Sequence, residues 1–245
     1  SEKESPQQGI EWPDSTPTVS KETMLQTLHT VGESFSIPSV TFDGEEINVS
    51  AKVANVQVMD DFSLLKEDGI DQSMKEQIGA DGKLIQNKID YIKPGDGIDS
   101  LNEVVYSENI DQKLVYLTVE MTNNEQKEVQ NVHFLGDFAS IVETAEGFAV
   151  YNRALMDDNA ETMYVSPTGA RTGGEMDYFD VPERGGNGKN YISSIAPGET
   201  VTIHIARIVN ADELDKLYFS MEPSGSGLML GESALSIGYV DIRQK

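Results

Sequence analysis

The sequence contains no cysteine. That absence removes disulfides, thiolate nucleophiles, zinc-thiolate sites and iron-sulfur ligation together. Basic residues are scarce as well: 18 Lys and Arg stand against 42 Asp and Glu in 245 residues, which gives a formal charge of −24 and a pI near 4.3. A chain without a basic face cannot neutralise phosphates, so nucleic acid is a poor partner and an anionic membrane surface repels it. No apolar run reaches the roughly 18 residues that a membrane-spanning helix needs. The three histidines, His29, His133 and His204, are too scattered to suggest a triad or a metal cluster. Neither His-Glu-x-x-His, Gly-x-Ser-x-Gly nor a Walker-type glycine loop occurs, so no motif names a reaction. The stretch Gly185 to Asn190 has glycines and a lysine but precedes a strand, whereas a phosphate cradle needs a following helix.

Leu, Ile, Val and Phe make up about a quarter of the chain, above the roughly 20 % below which chains fail to build a core. The first 29 residues are mostly Ser, Glu, Gln, Pro and Thr and read as a disordered tether, with folding expected over 30–245. A chain opening in such a stretch without a methionine leads us to expect the spacer of an exported, membrane-anchored protein whose upstream segment has been removed.

From Thr30 onward the texture is short β-type runs divided by turn residues. Glu33 to Pro38 and Val49 to Met59 alternate apolar with small or polar positions, and a bulge is expected near Ala54 and Asn55. Asp60 to Gly79 spaces Phe62, Leu65, Ile70, Met74 and Ile78 helically, so one or two short helices are expected within an insertion at about 60–113. Leu114 to Thr122 and Val129 to Leu135, joined by Asn123 to Glu128, read as a hairpin. Phe138 to Glu143 and Phe148 to Tyr151 flank Thr144 to Gly147 as a second one. A long irregular loop is expected at about 155–190, then strands at Tyr191 to Ile195, Thr200 to Val209, Leu214 to Met221 and Ser236 to Ile242. This pattern predicts an all-β, antiparallel immunoglobulin-like sandwich with a short helical insertion.

Val31-Gly32-Glu33 opening a strand, Ile47 to Val58, the Thr122-Asn123-Asn124 end of Leu114 to Asn124, and Ile195-Ala196-Pro197-Gly198-Glu199-Thr200-Val201 before Leu214 to Met221 follow a familiar order. In these residues the chain resembles the telokin-like, immunoglobulin-like extracellular domain of Firmicute lipoproteins, a family largely of unknown function. The resemblance spans roughly Thr30 to Met221, and the insertion and the long loop exceed the basic module. It implies an extracellular domain held on the membrane of a Gram-positive bacterium through a lipidated cysteine upstream of Ser1. It supplies no catalytic residues.

Two groups of residues are candidates for binding. Tyr151, Tyr164, Tyr178, Phe179 and Tyr191 crowd in and around the long loop, where exposed rings would take a protein or glycan partner and buried ones would close the end of the sandwich. Asp157, Asp158 and Glu161, with Asn159, form the densest run of oxygen donors in that loop, and Ca2+ is the cation such a run would take. They lack EF-hand spacing, which favours plain solvated acidity, and no other cofactor is expected. Asp96, Asp99 and Glu103 form a weaker second cluster of this kind. The expected function is display or binding by a surface domain without chemistry of its own. The alternatives are a hydrolase using carboxylates of the long loop and a structural envelope protein.

Overall fold

The computed structural model describes residues 18–151, 156–157, 160–161, 163–165, 174–182, 190–221, 235 and 237–245. In chain order its elements are β1 (Thr18–Val19), α1 (Lys21–Thr27), β2 (Leu28–Thr30), β3 (Ser34–Val40) and β4 (Glu46–Met59). A 3-10 turn (Glu67–Gly69) and α2 (Gln72–Lys75) precede β5 (Asn87–Lys93) and β6 (Glu103–Ile110). Next come β7 (Gln112–Asn123), β8 (Val129–His133), β9 (Asp137–Thr144) and β10 (Gly147–Val150). Five short strands follow, β11 (Met156–Asp157), β12 (Ala160–Glu161), β13 (Met163–Val165), β14 (Gly174–Glu175) and β15 (Tyr178–Asp180). The chain then forms β16 (Tyr191–Ile195), β17 (Thr200–Asn210), a second 3-10 turn (Ala211–Lys216), β18 (Leu217–Ser220) and β19 (Tyr239–Asp241).

One face of the sandwich is the sheet β15-β17-β7-β4-β3, antiparallel throughout. Period-two alternation turns Val115, Leu117, Val119 and Met121 of β7 and Val201, Ile203 and Ile205 of β17 inward. The register of β4 against β7 shifts between Val53 and Asn55, the bulge expected there, which keeps both Val53 and Val56 on the core side. The facing layer is built from β8 paired with β16 and from the sheet β1-β10-β9-β18-β19-β2, where β14 also pairs β9. Phe134, Phe138, Ile192, Ile195, Phe219 and Val240 come from this layer and fill the core with the inward residues of the first. The protein is an all-β antiparallel sandwich.

The outer faces of both sheets are covered as well. Leu114, Tyr116, Ala206 and Ile208 on the first sheet pack under Met74, Phe62, Leu65 and Ile70, so the insertion lies against that part of the face. On the second sheet Ala139, Ile141, Phe148, Tyr218 and Tyr239 pack with Val19 and Met24 of the N-terminal segment.

Two expectations need correction. Residues 18–29 are not tether: Ser20 caps α1 by accepting the Thr23 N–H at 3.2 Å, Met24 is fully buried, and β2 pairs in parallel with β19. Three of their four large apolar residues, Val19, Met24 and Leu28, are spaced to meet one sheet face while Leu25 stays exposed, which average composition does not reveal. Secondly, β7 and β8 do not form a hairpin. Both edges of β7 are taken by β4 and β17, and β8 pairs β16 in the opposite layer. The buried Asn123 makes the corner, donating from Nδ2 to the Lys127 and Ile195 carbonyls at 2.8 and 2.9 Å and accepting the Glu125 N–H at 2.8 Å. Its backbone also meets the Pro-Gly-Glu turn, with Gly198 N–H donating to the Asn123 carbonyl at 2.8 Å and Asn123 N–H to the Glu199 carbonyl at 3.0 Å. The short helices expected in the insertion are the 3-10 turn and α2; beyond them the insertion adds β5 and β6, where Ile89 and Tyr91 alternate inward, and β13 from the long loop joins their sheet.

Candidate functional site

Two constellations stand out, one internal and one on the surface. The internal one lies on the outer face of the first sheet, where β15 places Tyr178 and Asp180 opposite Ala206 and His204 of β17. The Tyr178 hydroxyl donates to Asp180 Oδ2 at 2.5 Å and accepts the backbone N–H of Lys66 at 3.0 Å. The other carboxylate oxygen bonds His204 Nδ1 at 2.8 Å, and Tyr116 stacks on that imidazole with ring centroids 5.1 Å apart. Burial pushes the Tyr178 phenol upward and raises Tyr116 to about 12. Burial also opposes ionisation of Asp180, but the hydrogen bonds from His204 and Tyr178 and the nearby charges of His204 and Lys66 outweigh it and hold the carboxyl below its usual value. A His–carboxylate pair is the core of many general bases. Here the carboxylate also fixes the phenol that carries the insertion. A Cβ on Gly69 would lie 2.5 Å from Tyr178 Cε2, so the 3-10 turn rests directly on that ring. The constellation is a clasp between insertion and sheet.

The surface constellation lies where the β3–β4 connection meets β8 and β16. Thr41 bridges Val132, and the Phe42 N–H donates to the Asn131 carbonyl at 3.1 Å. Asn131 adopts a left-handed φ of 51°, which asparagine tolerates better than most residues. This geometry holds Phe42 on the surface at 67 % exposure, edge-on to Tyr191 with centroids 5.8 Å apart, and Tyr191 meets His133 at 5.0 Å. Asn190 donates from Nδ2 to His133 Nε2 at 2.8 Å and to the Phe134 carbonyl, which leaves the imidazole proton on Nδ1. Burial lowers the His133 pKa against the opposing charge of Glu175, so the ring is neutral at pH 7. Asn131, whose carbonyl holds the Phe42 N–H, is exposed beside the ladder, while the exposed Gln130 donates from Nε2 to Glu128 Oε1 at 3.1 Å.

The aromatic residues singled out from sequence do not converge on one patch. Tyr191 joins the ladder just described. Tyr178 is a buried ring at 1 % exposure and presents no face to a partner. Phe179 turns inward and meets Phe134 edge-on at 5.9 Å. Tyr151 is half-buried with the Lys216 ammonium 5.3 Å from its centroid, and β13 pairs Tyr164 with Tyr91 of the insertion sheet. For the oxygen-donor run, β11 pairs Met156 with Glu161 and Asp157 with Ala160 on β12, while Asp158 lies outside the described residues. Among the described residues no group of three or more His, Asp or Glu is placed to hold a metal ion. In the weaker cluster, Asp96 is occupied by the N–H groups of its own loop. Phe42 escaped the sequence reading, and His133 entered it only as one of three scattered histidines; the signal for Phe42 was a large ring set directly before Asp43-Gly44, where a turn must expose it.

An all-β sandwich with a capped sheet and a surface ring ladder is thus the class of protein that the fold defines. No protein-family model matches the chain, and no curated protein matches it. Two solved structures are similar in fold: the yjhA protein of Bacillus subtilis, at 12 % identity over 86 % of this chain and 97 % of that one with a TM-score of 0.32, and an uncharacterized beta-sandwich protein of Clostridium difficile 630, at 11 % identity over 94 % and 97 % with a TM-score of 0.29. The strand pairing itself defines the sandwich.

Proposed function

We propose that the protein is a displayed binding domain without catalytic chemistry, and that the Phe42–Tyr191–His133 ladder is its platform for a glycan. The observation that carries this reading is Phe42, a large ring 67 % exposed yet held by backbone hydrogen bonding and by contact with Tyr191. An exposed ring beside the amide of Asn131 suits a sugar, whose C–H faces pack on aromatic surface while its hydroxyls take the hydrogen bonds of that amide. The non-catalytic part is supported by how the carboxylates of the long loop are used. Asp180 serves the Tyr178 clasp, and Asp177 accepts the Ile208 N–H at 2.9 Å while lying 3.6 Å from the Arg207 guanidinium.

Display outside the cell on a lipid anchor belongs to the same proposal. It is supported by the resemblance to the telokin-like lipoprotein domains and by an acidic surface that an anionic envelope repels. A glycan array, followed by titration of the hits with wild type and Phe42→Ala, tests the binding role. Loss of the ring should weaken binding about tenfold or more, the cost of a buried aromatic anchor, without changing the melting temperature. Absence of any glycan binding, or unchanged affinity in Phe42→Ala, would refute it. Palmitate labelling and protease accessibility on intact cells test the display role.

A further inference from the structure

A second surface lies at the tip of the β5–β6 hairpin. Ile98 and Leu101 are 89 % and 90 % exposed, and Val104 and Val105 are 54 % and 48 % exposed. Isolated exposed aliphatics are ordinary, but four within eight residues of one protrusion form a patch. The loop that carries the first two is pre-organised. Asp96 Oδ1 accepts the N–H groups of Ile98, Asp99 and Ser100 at 2.8, 2.8 and 2.9 Å. Ser100 Oγ accepts the Asp96 N–H at 2.9 Å, and Asn102 Oδ1 accepts the Gly95 N–H at 3.0 Å. The ordering cost that a loose loop would bear on binding has therefore been met in the fold.

Val105 has no opposite residue on β5, because Tyr91 pairs Tyr106 and Ile92 pairs Val104. This bulge continues the apolar surface from the tip onto the strand and interrupts its edge, which disfavours strand addition there. The charges around the patch are predominantly acidic: Asp96, Asp99, Glu103 and Glu108 lie between residues 94 and 110, against one exposed cation, Lys93, which β5 places opposite Glu103.

We propose that this hairpin is a docking knob for a protein partner that offers an apolar pocket bordered by Lys or Arg. The aliphatic side chains supply the buried area, and the four carboxylates supply complementarity to a basic rim and speed encounter with it. The same charges oppose an anionic bilayer and oppose a second copy of a chain whose net charge is −24.

The test places a benzoylphenylalanine cross-linker at Val105 in the full-length protein in its own cells, with adducts mapped to the residue by mass spectrometry. The expected result is a dominant protein adduct at a peptide in which apolar residues adjoin Lys or Arg. Its yield should fall several-fold between about 0.05 and 0.5 M salt, as screening shortens the reach of the paired charges. It should vanish in Ile98→Ser/Leu101→Ser, whose melting temperature should match that of the wild type because both side chains are already in water. An adduct at an acidic segment, at phospholipid or at a second copy would overturn the proposal. So would an adduct that survives the double substitution, or no adduct at all. Purified protein is also mixed with phosphatidylcholine vesicles, with and without phosphatidylglycerol; binding that the double substitution abolishes would assign the knob to a bilayer and overturn it too.

Discussion

Replacing Tyr178 by Phe isolates the clasp, because it keeps the buried ring against Gly69 and removes only the hydroxyl. Two hydrogen bonds go with it: the 2.5 Å bond to Asp180 and the 3.0 Å bond from the Lys66 N–H. The first is charge-assisted and its acceptor is largely buried, with 10 % of the Asp180 side chain exposed, so its loss should cost about 1.5–3 kcal/mol. The Lys66 N–H lies at the edge of the insertion, where water can replace the lost acceptor, and adds little. A total near 2 kcal/mol corresponds to a fall of roughly 4–8 °C in melting temperature for a chain of this size.

Urea unfolding with a double-mutant cycle against Asp180→Asn should return a coupling of about 1 kcal/mol or more between the two residues. The pH dependence gives a second readout. The folded carboxyl is depressed below its unfolded value near 3.9, so its contribution is complete above about pH 4 and disappears as the pH falls through the folded value. Without the phenol that value rises toward the unfolded one, so the acid-dependent part of the stability shrinks and its loss is complete at a higher pH. A change below about 0.5 kcal/mol with an unaltered acid limb would show that the hydroxyl bonds water as well as it bonds Asp180, and the clasp would be refuted.

Three other substitutions test the packing. Met24→Ala should lower stability by about 2–5 kcal/mol in urea unfolding, since the side chain is fully buried on the second sheet, whereas a residue in a tether would cost nothing. Gly238→Ala should cost more than about 1 kcal/mol and lower amide-exchange protection over Leu28–Thr30, because Gly238 has φ +93° and a Cβ there would lie 2.1 Å from the Thr27 carbonyl oxygen. Asn87→Ala removes the donor to the buried Asn210 Oδ1 at 2.9 Å, at the junction where Asn210 in turn bonds Glu213 at 3.0 Å. It should cost about 1–3 kcal/mol by thermal unfolding and raise exchange in β5, and an unchanged β5 would separate the hairpin from that network.

What the sequence determined by itself is local. Alternation placed β17 and the β9–β10 hairpin within a residue of where they lie and β4 within three, and even the bulge beside Ala54 could be read from the change of phase between Val53 and Val56. These features follow from side-chain periodicity and turn chemistry, which act over a few residues. The tertiary structure decided every pairing between distant segments. Nothing in the Asn123 to Glu128 connection shows that both edges of β7 are already occupied, so that the chain must cross to β16, and β2 and β19 are more than 200 residues apart. The same holds for the candidate sites. Tyr178, Phe179 and Tyr191 are similar aromatics in one polar stretch, yet one became a clasp, one a core ring and one a surface ring. Composition sets how many rings a segment offers, but which of them water can reach depends on what the rest of the chain lays over each, and burial is a property of the assembled layers.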